Sequence, residues 1–153
     1  QSMSQSLVKI PIHLVFSTHT RQPLLADCTQ RTEVHRYLAG ICNNIGCPPV
    51  KINGVADHVH LCFLLGRQVA VADLVRDLKS CSSKWIRIRF PGLSRFQWQK
   101  GYGAFAVDYD AMPAIIRYIE NQQSHHLKLS FQDEFRKLCR EAGVEIDERF
   151  AWD

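Results

Sequence analysis

The run His58-Val59-His60-Leu61-Cys62-Phe63-Leu64-Leu65 constrains the fold of this chain more than any other stretch. Successive side chains of a β-strand point to opposite faces of its sheet. Val59, Leu61, Phe63 and Leu65 therefore share one wholly apolar face, while His58, His60 and Cys62 share the other. Such a strand belongs in a sheet with one side buried under helices and the other left for polar chemistry.

The neighbouring segments supply the rest of that architecture. Residues 8–18 are β-branched and apolar and read as a first strand. From about 27 to 44, Val34, Tyr37, Leu38, Ile41 and Cys42 follow helical spacing, and the Gly46 to Pro49 stretch closes the segment. Residues 50–56 form a second strand, joined to the histidine strand by a tight link through Asp57. A second helix over 71–88 buries Val71, Leu74, Val75, Leu78, Cys81 and Trp85, and Pro91-Gly92 breaks it. A fourth strand lies within 98–108. Asp110 is a suitable N-cap for a third helix that carries Ile115, Tyr118, Ile119, Gln122 and His126, with Pro113 in its first turn. Ser130 to Asp133 reads as a capping box opening a fourth helix with Phe131, Phe135 and Leu138 inward, ended by Gly143. The order β-α-β-β-α-β followed by helices predicts an α+β, ferredoxin-like split βαβ with a four-stranded antiparallel sheet. The two covering helices take the apolar face, so the histidines are expected to look outward.

At 153 residues, 46% hydrophobic and 22% charged, the chain is long enough to bury a core as one domain over 1–153. Gln1-Ser2 reads as an addition before a natural start at Met3, and 144–153 as a tail docked through Phe150 and Trp152. The start has no secretory layout and no apolar stretch approaches the ~20 residues of a membrane span. Six cysteines without paired spacing point to a reducing cytoplasm rather than disulfides or structural zinc. A net charge of +4 permits a polyanionic partner without requiring one.

Tyr118 and Gln122, four apart, share a helical face. If that helix packs on the histidine strand, His58, His60 and the Gln122 amide oxygen can hold a divalent cation beside a phenol. A phenol is almost wholly protonated at neutral pH, with a reference pKa of about 10. A nearby cation favours its ionised form and neutralises charge on a phosphodiester. Tyrosine attack stores the bond as a phosphotyrosine for later rejoining. Imidazole suits transition metals better than Mg²⁺, so Mn²⁺ is expected to serve at least as well. Taken singly, each feature has a plainer reading: a His-x-His pair is commonly an ordinary sheet element, and a helical tyrosine commonly core filler.

In combination, His58-Val59-His60, the stretch Gly101 to Phe105 and the run Tyr118 to His126 resemble the single-tyrosine HUH transposases of the smallest bacterial insertion sequences. The segments Ser130 to Phe135 and Asp147 to Trp152 resemble them too, so the likeness extends across the chain. The resemblance implies a transposase that cuts and rejoins single-stranded DNA at hairpin-marked element ends. Tyr118 would be the nucleophile, staying on a 5′-phosphate, with His58, His60 and Gln122 as ligands of Mg²⁺ or Mn²⁺. It also implies a homodimer with active sites shared between subunits. The link from 108 to 113 contains no glycine, so a flexible hinge for the tyrosine helix is not evident.

Other residues have weaker claims. Lys79, Lys84, Arg87, Arg95 and Lys100, with Arg89, are candidates for a phosphate track or simply for a solvated surface. Trp98 and Tyr102 fit stacking on unpaired bases or, more simply, core packing. His125 and His126 suit a helix end, and Asp57 a turn. Alternatives to a mobile-element enzyme are a domesticated hairpin-repeat-specific tyrosine nuclease, a non-catalytic single-stranded nucleic-acid-binding module and a small metal-binding protein. The binding module predicts exposed aromatics on the open sheet face.

Overall fold

The computed structural model describes residues 4–125 and 128–153, without the side chain of His125. Four strands, β1 (Pro11–Ser17), β2 (Pro49–Val55), β3 (His58–Leu64) and β4 (Gly103–Ala106), form an antiparallel sheet in the order β2-β3-β1-β4. Helix α1 (Cys28–Ile45) links β1 to β2, and α2 (Val71–Arg89) links β3 to β4. This is the expected split βαβ arrangement. Among the described residues no helix is long and apolar enough to cross a membrane.

Local chemistry explains the boundaries. The Asp27 side chain accepts from Gln30 N at the start of α1, and Gly46, at φ 86°, ends it in the left-handed conformation. Ser130 accepts from Asp133 N to open α5 (Phe131–Ala142), and Gly143 at φ 70° closes it. Pro113 sits in the first turn of α3 (Met112–Glu120), as expected. Asp110 is not its N-cap. A 3-10 turn over Tyr109–Ala111 intervenes, and Ala111 caps the helix without a side-chain bond.

The apolar face of β3 behaves as its alternation demands. Val59, Leu61 and Phe63 join Leu14 and Phe16 of β1 under Val34, Leu38, Leu74, Leu78 and Ile86 of α1 and α2. Burying each such large side chain contributes about 1.5–3 kcal/mol. On α2 the buried stripe runs through Ser82 and Ile86, whereas Cys81 is exposed. Ser82 accepts the Trp98 indole N–H at 2.9 Å, which satisfies both polar groups inside the core. Trp98 is accordingly core, packed edge-on against Phe16 and Phe96.

The expected open face is closed. Val15 of β1 and Phe131, Phe135 and Cys139 of α5 form a second buried cluster there, joined by Phe105, Leu138, Ile146 and Trp152. The sheet is thus a middle layer, and the histidines lie inside rather than at the surface. Trp152 packs edge-on against Phe131 and Phe135, while Phe150 stays exposed.

Gly54 holds the β2–β3 hairpin close. A Cβ there would lie 2.3 Å from the His58 carbonyl oxygen and 2.9 Å from Val59 Cα, both backbone atoms that cannot rotate away. Gly54→Ala should destabilise the protein by about 1–3 kcal/mol, the range for forced overpacking. A urea unfolding midpoint equal to that of the parent protein would show this contact to be unimportant.

Candidate active site

Two adjoining strands and three helices build one buried polar cluster. His58 and His60 project from β3 on the face shared with His13 of β1, since His13 pairs with Cys62 in the antiparallel register. Asn53 of β2 lies opposite His60. Its amide donates to the Ile119 and Glu120 carbonyls at 2.9 and 3.2 Å, capping the end of α3 and fixing the tyrosine helix on the sheet. The chain breaks its helix at Asn121 and resumes in the short α4 (Gln122–His125). Tyr118 and Gln122 therefore do not share one continuous helix. They remain neighbours, with Gln122 Nε2 donating to the Tyr118 carbonyl at 3.3 Å. His126, expected on the same helix, lies outside the described residues.

The centre of the cluster is Glu134 of α5. Its Oε1 lies 2.9 Å from His60 Nε2 and 3.2 Å from His58 Nε2. Its Oε2 accepts the Tyr118 hydroxyl and, at 3.3 Å, the Gln122 amide. Gln122 Oε1 is 3.2 Å from His58 Nε2. His58, His60, Gln122 and Glu134 are all fully buried. The nucleophile candidate and the ligand candidates thus meet in one chain, without a second subunit.

Further groups orient the imidazoles. Asp57 Oδ1 sits 2.7 Å from His58 Nδ1, so its carboxylate holds the ring with Nε2 turned inward. The turn residue of the hairpin is therefore also a support for the site, though not itself a ligand. His13 Nε2 lies 2.8 Å from His60 Nδ1, and the two rings stack at 5.1 Å.

Electrostatics follow from these contacts. Burial alone would lower the His58 pKa, but hydrogen bonds and charge from Asp57 and Glu134 outweigh it and raise it to about 9. His13, buried and next to His60, is lowered to about 3 and stays neutral despite Glu134. Burial, then the bond and charge of Glu134, push the Tyr118 phenol well above its ordinary value. Without added positive charge this tyrosine is a poor nucleophile.

The donor chemistry fits a divalent cation. Ligating atoms of His58, His60 and Glu134 lie within 4.8 Å of one another, and the Gln122 oxygen adjoins them. Two imidazole nitrogens with oxygen donors suit Mn²⁺ and, less well, Mg²⁺.

Glu134 and His13 are the residues that reading the sequence missed. Both had a signal. Glu134 falls three residues after Phe131 and four before Leu138, on the inward face of an amphipathic helix where an unpaired carboxylate is costly. His13 alternates with Val15 and Ser17 in an otherwise apolar strand.

The basic candidates do not form one set. The Lys79 ammonium donates to the carbonyls of Gln99, Lys100 and Gly101 at 2.8, 3.1 and 2.7 Å, and burial lowers its pKa to about 8. Arg87 donates to the Phe96 carbonyl at 3.0 Å. Lys84, Arg95 and Lys100 are exposed. Arg89 pairs with Glu33 at 3.1 Å.

Comparison with known proteins bears on this arrangement. A family model described as "Transposase IS200 like" matches residues 6–122. A solved structure assigned as a transposase from Deinococcus radiodurans R1 is 25% identical, covers 80% of this chain and 97% of its own, and superposes with a TM-score of 0.62. A REP-associated tyrosine transposase, solved bound to a REP hairpin, shares the fold at 14% identity and a TM-score of 0.58, over 82% of this chain and 74% of its own. No curated protein matches the chain. The match covers every strand and the tyrosine-bearing helix, and this chain belongs to the IS200-like transposase family of DNA-cleaving and strand-transferring enzymes.

Proposed function

We propose that this transposase cuts and rejoins single-stranded DNA at hairpin-marked ends, with Tyr118 as nucleophile. The observation that carries this reading is one carboxylate, Glu134, facing both imidazoles and the Tyr118 hydroxyl at once. His58, His60, Gln122 and Glu134 would hold Mg²⁺ or Mn²⁺. Such a cation supplies positive charge that lowers the phenol pKa and offsets charge on the scissile phosphate.

The remaining steps belong to the chain's own residues. Tyr118 Oη attacks phosphorus while Glu134, which already accepts that hydroxyl, takes its proton. The bond from phosphorus to the 3′-oxygen breaks, leaving a 3′-OH once that oxygen is protonated from water, and the 5′-phosphate stays on Tyr118. Attack by a different 3′-OH reverses these steps and rejoins strands. Because the tyrosine reaches the histidines of its own chain, cleavage proceeds in cis. A homodimer of this chain would then pair two such sites.

The fully buried ligands also require the helices above them to part when a strand enters. Incubating the protein with a labelled single-stranded hairpin oligonucleotide and Mn²⁺ should give a protein–DNA adduct that survives a denaturing gel. The same mixture should show faster amide exchange over residues 131–142 than the free protein. Free 5′-phosphate ends without any adduct would instead indicate water as the attacking group.

A further inference from the structure

A groove of about 600 Å³ lies between α2 and the segment 97–102. Its helical wall is a stripe of small and basic residues, Ala72, Arg76, Lys79, Ser80, Ser83 and Arg87, recurring at helical spacing. The opposite wall includes Lys100 and Tyr102. Lys79 and Arg87 share one stripe of α2, and the fold brings Lys100 from the segment before β4 to the other wall. Lys84 and Arg95 do not line it.

None of the side chains lining the groove is a carboxylate, although Asp153 O accepts from the Lys100 and Gly101 N–H groups at 2.8 and 3.1 Å. Arg76 is held by Asp73 and Asp77 at 3.2 and 3.3 Å, and Lys79 is engaged by the loop carbonyls. That leaves Lys100 and the outer edge of Arg87 to meet an anion. Tyr102 is 38% exposed, with the Lys79 ammonium 5.6 Å from its ring centroid. A partly exposed phenol ring on the same groove as Lys100 and Arg87 suits a base and its phosphate.

One bond ties the groove to the reaction centre. Gln99, on its rim, accepts the Ser17 N–H at 2.8 Å, and Ser17 is the cross-strand partner of His58. The groove therefore opens at the end of the sheet that carries the cluster. His19, which also lines it, is presented by a turn whose Thr20 and Arg21 have φ of 53° and 54°. Non-glycine residues seldom adopt that conformation, and strain of this kind concentrates at functional sites.

We infer that this groove binds the unpaired DNA strand flanking the hairpin, phosphates on Arg87 and Lys100 and a base on Tyr102. The inference rests on the proposed function for its ligand class, single-stranded DNA.

Fluorescence anisotropy with two labelled probes tests this: a hairpin with a single-stranded flank, and the same hairpin without it. Arg87→Ala with Lys100→Ala, and separately Tyr102→Ala, should weaken binding of the flanked probe at least tenfold, with a shallower salt dependence for the double variant. The blunt hairpin should bind all variants alike. Ser80→Glu, at an exposed position, should reproduce the loss without removing a structural bond. Lys84→Ala with Arg95→Ala should stay within twofold of the parent protein. Equal losses from that control pair, or parent-like binding by the groove variants, overturns the groove. The adduct assay reads Tyr118 independently, so an adduct with no groove effect sinks this inference alone. A groove effect with no adduct sinks the tyrosine chemistry and leaves the groove.

Discussion

Tyr118→Phe is expected to abolish the covalent protein–DNA adduct, with a loss of at least about a thousandfold in cleavage, in line with removal of an essential nucleophile. The substitution deletes one oxygen. The ring remains near His13 and His60, whose centroids lie 6.1 and 5.8 Å away. Loss of the hydroxyl also frees Glu134 Oε2 from one hydrogen bond, leaving the Gln122 amide to satisfy it. Cation affinity and hairpin binding should therefore stay near the parent values. Adduct formation at the parent rate by the phenylalanine protein would assign the nucleophile elsewhere.

Glu134→Gln should have a comparably large effect with a different signature. The amide keeps the shape but loses the negative charge facing His58 and His60 and the capacity to take the Tyr118 proton. Mn²⁺ affinity, measured calorimetrically, should fall at least tenfold, and adduct formation should fall with it even at saturating Mn²⁺. Tyr118→Phe, by contrast, should leave the calorimetric titration unchanged. Removing the charge should also lower the His58 pKa in the metal-free protein, because Glu134 is one of the two groups that raise it. The sign follows from linkage. A folded pKa of about 9 against 6.5 contributes stability that is full below pH 6.5 and lost as pH rises toward 9. The metal-free parent should thus lose stability across that window, and Glu134→Gln should lose less. Unfolding midpoints that fall equally in both proteins would exclude Glu134 as the source.

Much of the fold was legible because one periodicity dominated it. Val59, Leu61 and Phe63 alternate with two histidines and Cys62, and a one-residue slip of register would turn the first set away from α1 and α2. Helix ends were equally plain where side-chain chemistry sets them, at Asp27, Gly46, Ser130 and Gly143. Asp110 failed as a cap because the chain tightens into a 3-10 turn first. Local spacing alone does not distinguish that turn from the first turn of a helix. Tyr118 and Gln122 were paired by helical spacing, and they do adjoin although the helix breaks between them. One turn's separation survives a single distorted residue.

The outward-looking histidines were the larger misreading. Alternation says which side of a sheet a residue faces, not what lies beyond it. The layer above His58 and His60 comes from α3, α4 and α5, more than fifty residues downstream. Their docking depends on Phe131 and Phe135 finding Val15, and on Asn53 capping α3.

The chain's local pattern determined the strand bearing the two imidazoles, the helices that cover its apolar side and the phenol–amide pair. Each of these is set by interactions within a few residues, through periodicity, caps and turns. Only the tertiary structure brought Glu134, 74 residues from His60, to the centre of the cluster. It also set Lys100 on the wall across from the Lys79 and Arg87 stripe of α2. Those meetings depend on how layers pack, because the free energy gained by burying the aromatic residues of α5 selects which distant polar groups are carried inside with them.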